Sequence, residues 1–277
     1  MKTWREIAAL LAFPKEALEE LEIAANPNSE NLEALLNGDF QKQVTKLVNP
    51  HCWEAARESL KEVLQPDKSG LKMLLVMLTA CGYTYEAYRE KGIEDSIFVE
   101  TMNCFPRFVN EHKVSYGNYG FDRDFWTERQ LSMQLFRLGE LEYEMCRQGE
   151  EKTISVHIPS DADISRDKVE VSFKLAQEFF ETYYPEYAQA EYTCYSWLLS
   201  PALTELLPAH SRILEFQSFF EIEREDTNSN AVLEWVFKRK GNTLQELPED
   251  TSLQKKMKAY LLSGEKVGED RKSTRLN

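Results

Sequence analysis

The sequence predicts an α+β protein in two parts: an all-helical N-terminal domain over residues 1–132 and a mixed-sheet α/β domain over 133–269. Three observations predict it. Apolar residues recur every three or four positions through the first half. From Leu135 the period changes to alternation, and strand-like and helix-like segments then interleave to the end of the chain. With 277 residues, each part is long enough to bury its own core.

The first helix opens on Thr3-x-x-Glu6, a capping box in which hydroxyl and carboxylate each satisfy an orphaned backbone N–H, and Pro14 closes it. Short helices are predicted over Lys15 to Ala25, Ser29 to Leu36 and Phe40 to Val48. Longer ones follow over Trp53 to Leu64, Leu71 to Arg89 and Ser96 to Glu111, with core stripes such as Leu71, Leu74, Leu75, Leu78 and Cys81. After the loop Tyr116-Gly117-Asn118-Tyr119-Gly120, Asp122 or Asp124 caps a helix bearing Phe125, Trp126 and Arg129. That helix is the hinge between the halves, and Trp126 and Arg129 suit an interdomain contact.

In the second half, Phe136 and Leu138 alternate in one phase and Leu141, Tyr143 and Met145 in the other, which predicts a β-bulge at Gly139. Gln148-Gly149-Glu150-Glu151 turns the chain into a second strand, Thr153 to Ile158. There Ile154, Val156 and Ile158 face one way; Thr153, Ser155 and His157 face the other. Ser165 caps a helix reaching Tyr184, and Pro185 ends it. Tyr192 to Leu199 reads as a strand, Ser200-Pro201 opens a short helix to Leu207, and Arg212 to Glu223 alternates as a further strand with Glu215, Glu221 and Glu223 on its wet face. Helices over Ala231 to Phe237 and Leu253 to Leu262 finish the fold, the second opened by a Thr251-x-x-Gln254 box and closed by Gly264.

Composition narrows the function classes. A hydrophobic share of 42% with 29% charged residues is ordinary for a soluble globular chain, and no run of 18 apolar residues exists to span a bilayer. The N-terminus lacks the apolar core and cleavage site of an export signal. Cys52, Cys81, Cys104, Cys146 and Cys194 are scattered, with no Cys-x-x-Cys pair or nearby histidine at metal-ligand spacing, which predicts a reducing cytoplasm and no metal. A net charge of −14 argues against nucleic acid. The last eight residues, Asp270-Arg271-Lys272-Ser273-Thr274-Arg275-Leu276-Asn277, read as a translated sequencing adapter and are expected to lie outside the fold. On that reading the native C-terminal residues are missing and the body carries −16.

The order of elements, strand, strand, helix, strand, helix, strand, helix, resembles the central part of the GNAT-type N-acyltransferase fold. The strings FRLGELEYE (Phe136 to Glu144), VHIP (Val156 to Pro159), FFETYYPE (Phe179 to Glu186), SWLLSP (Ser196 to Pro201) and LPEDTSLQ (Leu247 to Gln254) carry it further. They resemble a bacterial family with a helical N-acyltransferase N-terminal domain and a GNAT-like C-terminal domain. The resemblance implies acyl transfer from a thioester such as acyl-CoA, the co-substrate, to a small-molecule amine or amine-like acceptor.

It also implies where the donor binds, at the end of the strand and the start of the next helix, which nominates Ile158, Ser160 and Ser165. Here the chain departs from the family pattern. GNAT domains cradle the pyrophosphate with a glycine-bearing loop, whereas Pro159-Ser160-Asp161-Ala162-Asp163-Ile164-Ser165 has no glycine and two aspartates, which compete with a bound anion. A GNAT-derived binding or scaffold module without catalysis is the alternative that this loop favours.

Three residues are candidates for the chemistry. His157 stands at the strand end preceding the helix, where an imidazole can deprotonate an amine at neutral pH; its alternative role is a hydrogen-bonded structural histidine. Cys194 and Ser196 share one strand face, and a Cys194–His157 pair would permit a covalent acyl-enzyme, although cysteine is commonly a buried packing residue. Tyr195 can protonate a leaving thiolate. The acidic face of Glu215, Glu221 and Glu223 either attracts a cationic acceptor or is simply solvated.

Overall fold

The computed structural model describes residues 1–26, 41–226, 230–238 and 243–274, with the backbone alone at 148, 222–226 and 269–274. The chain divides into two compact units, Met1–Arg137 and Leu138–Asn277. No helix among the described residues is long and apolar enough to cross a membrane.

The first unit holds α1 (Trp4–Leu10), α2 (Lys15–Ala25), α3 (Gln41–Leu47), α4 (Trp53–Val63), α5 (Leu71–Lys91), α6 (Asp95–Met102), α7 (Cys104–Tyr116) and α8 (Asp124–Leu131). The capping box at Thr3 forms, with Glu6 accepting from Thr3 N–H at 2.8 Å. The helix expected over Ser29 to Leu36 lies outside the described residues.

At the centre is α5, buried along most of its circumference, as its continuous apolar run requires. Its first turn is closed from upstream: Asp67 accepts from the N–H groups of Lys72 and Met73 at 3.2 and 3.0 Å. The segment leading into α1 passes so closely that a Cβ on Gly82 would stand 2.4 Å from the Lys2 carbonyl oxygen.

The single helix expected over Ser96 to Glu111 is two, broken at Asn103. Pro106 has no N–H to donate to residue 102, so the helix restarts with Pro106 in its first turn, where that donor is not needed. The cap expected from Asp122 or Asp124 does not form either. Arg123 is the N-cap, its side chain making no cap hydrogen bond, and Asp124 is the first helical residue, 2.6 Å from Lys61 Nζ.

The strands form a six-stranded sheet in the order β1-β2-β3-β4-β6-β5. These strands are β1 (Leu135–Leu138), β2 (Leu141–Gln148), β3 (Glu151–His157), β4 (Glu191–Ser196), β5 (Phe220–Asp226) and β6 (Glu269–Thr274). The helices of this unit are α9 (Arg166–Tyr183), α10 (Leu203–Leu206), α11 (Arg212–Gln217), α12 (Ala231–Trp235) and α13 (Ser252–Leu262). The capping box Thr251–Gln254 opens α13.

Helix α9 presents Val169, Phe173, Ala176 and Phe180, all buried. The Phe173 ring meets Tyr143 and Tyr192 edge-on at 6.0 and 5.9 Å, so an aromatic layer fills the space beneath the sheet. A smaller core gathers Leu203, Leu206, Val232, Phe237, Met257 and Val267 among the later helices.

The phase change at Gly139 is a turn, not a bulge. Gly139 has φ of +72°, and the chain reverses there from β1 into β2. The turn is pinned from below by Ser172 of α9, whose hydroxyl donates to Leu138 O and accepts from Leu141 N–H at 3.1 Å, with Tyr143 Oη at 3.0 Å. Burial holds the Tyr143 phenol well above its ordinary pKa. Ser172→Ala leaves these buried groups without a partner and is expected to cost about 2–3 kcal/mol, measured by urea unfolding.

The strand expected over Arg212 to Glu223 is also corrected. Residues Arg212–Gln217 form α11, opened by Ser211 Oγ accepting from Ile213 N–H at 3.3 Å and closed by Ser218 Oγ donating to Glu215 O at 2.6 Å; β5 begins only at Phe220. The alternating run Leu214, Phe216, Phe220, Ile222 skips Ser218, and that gap is the junction. Glu215 therefore lies on a helix, bound to Arg166 Nε at 3.1 Å, and no acidic strand face of Glu215, Glu221 and Glu223 is assembled.

Strand β4 ends at Ser196, whose hydroxyl accepts from Leu198 N–H at 3.2 Å to start a 3₁₀ turn over Trp197–Leu199. The adapter-like segment was expected outside the fold, yet Asp270 to Thr274 belong to β6, pairing antiparallel with both β4 and β5. Ladder bonds use main-chain N–H and C=O groups, which any sequence without proline supplies.

Candidate functional site

The hairpin register builds the site. Glu142 pairs with His157, Tyr143 with Val156 and Glu144 with Ser155 across β2 and β3. In the parallel ladder from β3 to β4, Ser155 stands beside Thr193 and Val156 beside Cys194. Ladder partners share a face and successive residues alternate. One face thus carries Tyr143, Ile154, Val156, Tyr192 and Cys194. The other carries Glu142, Glu144, Ser155, His157, Thr193 and Tyr195.

His157 is the last residue of β3 and lies on the polar face. Its Nε2 is 2.8 Å from Glu144 Oε2, and the two side chains are 22% and 17% exposed. A histidine and carboxylate joined in this way are a ring of fixed orientation with one nitrogen committed to the acid. Glu142, directly across the ladder, is buried. Tyr195, one step beyond the Val156–Cys194 pair, occupies the register position beside His157 and is exposed.

Cys194 is not brought to His157. It is fully buried on the opposite face of the sheet, in register with Val156. Its surroundings are poor for a thiolate: burial pushes the neighbouring Tyr192 hydroxyl up to about 12. Ser196, on the same side, is spent capping the 3₁₀ turn. Trp126 and Arg129 of α8 contact each other, the guanidinium lying 4.6 Å from the ring centroid.

The loop from Ile158 to Ser165 follows His157 directly. Three of its N–H groups are already engaged: Ala162 N–H to Pro159 O at 3.1 Å, Asp163 N–H to Glu140 Oε2 in the β1–β2 turn at 2.9 Å and Ser165 N–H to Asp163 Oδ1 at 3.1 Å. Ser165 is the N-cap of α9 but makes no side-chain cap bond; its hydroxyl is turned to the Asp163 carboxylate, which also accepts from Ser165 N–H. Those backbone and side-chain bonds, with Arg212 Nη1 at 3.0 Å, hold the Asp163 carboxyl below its ordinary pKa. An internal carboxylate therefore stands where an incoming anion would meet the helix start.

The sequence reading missed Glu144 and Glu142. Their signal is in the sequence: Glu140, Glu142 and Glu144 alternate with Leu141, Tyr143 and Met145, and a short hairpin turn at Gly149 brings that acidic row across from His157. Among the described residues, no group of three or more His, Cys, Asp or Glu is arranged to hold a metal.

Comparison with known proteins agrees with this architecture. Residues 2–133 match the N-acyltransferase N-terminal domain family and residues 135–271 match the GNAT-like C-terminal domain family. The fold is shared with a crystal structure of an acyltransferase in complex with decanoyl-CoA and teicoplanin, at 24% identity and a TM-score of 0.82 over 99% of this chain and 87% of that one. A second crystal structure, of an acyltransferase with CoA and 10C-teicoplanin, is similar at 23% identity and a TM-score of 0.82, with the same coverage. Comparison with curated proteins gives no match.

Proposed function

Because the chain belongs to the family that joins an N-acyltransferase N-terminal domain to a GNAT-like C-terminal domain, we propose that it transfers an acyl group from acyl-CoA to an amine. The observation that carries this reading is the His157–Glu144 pair, on the sheet's polar face at the end of β3 and beside Tyr195. His157 takes the proton released as the amine nitrogen attacks the thioester carbonyl. A C–N bond forms, the C–S bond breaks, and the departing thiolate takes a proton from the Tyr195 hydroxyl, which is replenished from His157. The products are an amide and free thiol.

Ile158, Ser160 and Ser165 line the donor side in this reading, and pyrophosphate binding at α9 requires Asp163 to release Ser165 N–H. One similar crystal structure contains decanoyl-CoA and teicoplanin, so decanoyl-CoA as donor and teicoplanin as acceptor are the first substrates to try. Acyl-CoA is an intracellular metabolite and the cysteines are free, which together suit the cytoplasm.

The test is a thermal melt of the purified chain with CoA, acetyl-CoA and decanoyl-CoA, followed by thiol release with amine acceptors. A ligand at about 100 times its dissociation constant adds about 2.7 kcal/mol, a rise of several degrees. Asp163→Asn is expected to tighten donor binding; unchanged affinity would place the pyrophosphate elsewhere. The second reading, a binding module without catalysis, is favoured by the 158–165 loop, whose Ala162, Asp163 and Ser165 N–H groups already have protein acceptors. A melt shift without thiol release supports that module, and no shift with any donor rejects acyl transfer.

A further inference from the structure

Resting on the proposed acyl transfer, we infer that Gln217 of α11 is a positioning residue of the site: its amide ties α11 to the turn that follows Tyr195 and so fixes the end of β4 beside the end of β3. The ladder between these parallel strands runs from Thr153–Glu191 to Val156–Cys194, and His157 and Tyr195 each stand one residue past its last pair. Parallel neighbours are joined by a crossover, here α9, so no short turn sets the spacing of their ends. Helix α11 reaches both outlets. Gln217 Nε2 donates to Leu198 O at 2.9 Å and to Ser200 O at 3.0 Å, beyond β4. At the other end of the helix, Arg212 Nη1 lies 3.0 Å from Asp163 Oδ1, in the loop beyond β3.

The two attachments are unequal. Arg212 and Asp163 are 69% and 45% exposed, and Arg166 and Glu215, the second ion pair on this helix, are 47% and 43% exposed, so water screens both. Gln217 is half-buried, and Phe216 beside it is fully buried against Phe220, the ring centroids 5.2 Å apart. The amide is therefore presented from an anchored backbone, with both of its N–H donors in use. Its targets lie close to the chemistry. Leu198 is held through both main-chain groups, its C=O by Gln217 and its N–H by Ser196 Oγ at 3.2 Å, and Ser196 follows Tyr195 directly. Tyr195 is 49% exposed, so the main chain that carries it decides where its hydroxyl can reach. A misplacement of about 1 Å at a reacting group costs on the order of 10²-fold in rate.

The experiment has a kinetic and a hydrogen-exchange arm. With decanoyl-CoA and teicoplanin, Gln217→Met, which keeps the side chain's length and removes both donors, is expected to lower kcat about 10-fold or more with both KM values within about 2-fold. Gln217→Glu, ionised at neutral pH and likewise without N–H donors, is expected to do the same and takes the place of Gln217→Met if that variant fails to fold. In a Tyr195→Phe background, Gln217→Met is expected to cost nothing more, because it acts through Tyr195. The same fold-loss in both backgrounds would overturn the proposal, as would a rise in KM that accounts for the whole effect.

The exchange arm needs no turnover. In the protein without donor, Gln217→Met is expected to speed exchange of the Leu198 amide about 10-fold or more, while the Phe173 and Ala176 amides in the middle of α9 exchange as in wild type. Unchanged exchange at Leu198 would also overturn the proposal. Faster exchange there, with no thiol release by the wild type from any donor, would sink the acyl-transfer reading and leave the tie between Gln217 and the β4 turn intact. Wild-type turnover that continues undiminished in Gln217→Met would sink the role of Gln217 alone.

Discussion

His157→Ala is expected to lower kcat for acyl transfer by about 10²- to 10⁴-fold while leaving the melting temperature within a few degrees of wild type. The range is what a positioned general base supplies when it accepts a proton in the transition state. The fold should tolerate the change because the imidazole lies on the polar face, 22% exposed. The apolar side chains of the same strand, Ile154 and Val156, are untouched on the other face. Cys194→Ala gives the opposite pattern. Its thiol is fully buried with Val156 and Tyr192, so the loss is expected in stability, and turnover should persist. Measuring thiol release and thermal melts on both variants separates a base on one face from packing on the other. Activity retained in His157→Ala and abolished in Cys194→Ala would reverse the assignment.

How much of this site was legible in the sequence follows from the range of the interactions. Local signals read correctly: the capping boxes at Thr3 and Thr251 and the limits of Lys15–Ala25 depend only on residues a few positions apart. Alternation in β3 placed His157 opposite Val156, and that holds. What failed needed information from a second element. The period-two run in Arg212 to Glu223 was a helix and a strand meeting at Ser218, set by a Ser211 cap and by the bond from Arg166 on α9. Gly139 gave the right position but the wrong device, because a left-handed glycine serves a bulge or a turn and the choice depends on Ser172, on α9. Glu144 was overlooked although the hairpin was foreseen, since its role appears only when the register is counted back from Gly149. Cys194 was paired with His157 on sequence alone. Knowing that β4 lies parallel to β3 and in which register is what separates their faces.

The second large effect concerns stability, and it comes from charges in the helical unit. Glu128 of α8 is 2% exposed with its Oε2 3.2 Å from Arg57 Nη1, and Asp124 lies one turn earlier, 2.6 Å from Lys61 Nζ. Burial is the main influence on Glu128 and lifts its pKa from 4.5 to about 7, with Asp124 adding to the rise and Arg57 opposing it. Arg57→Ala removes that opposing cation and is expected to destabilise the fold by about 3–5 kcal/mol at pH 8, where the carboxylate is charged. The loss should shrink at pH 5, where the carboxyl is neutral in either chain. In the wild type the folded pKa lies above the unfolded one, so the folded state binds more protons between pH 4.5 and about 7. The Glu128 contribution is therefore complete below pH 4.5 and disappears as pH rises through about 7, a change of about 3 kcal/mol. Glu128→Gln removes this titration. Urea unfolding at pH 5 and pH 8 should show its stability relative to wild type increasing with pH. A constant difference would mean that Glu128 is ionised throughout and that Arg57 compensates its burial fully.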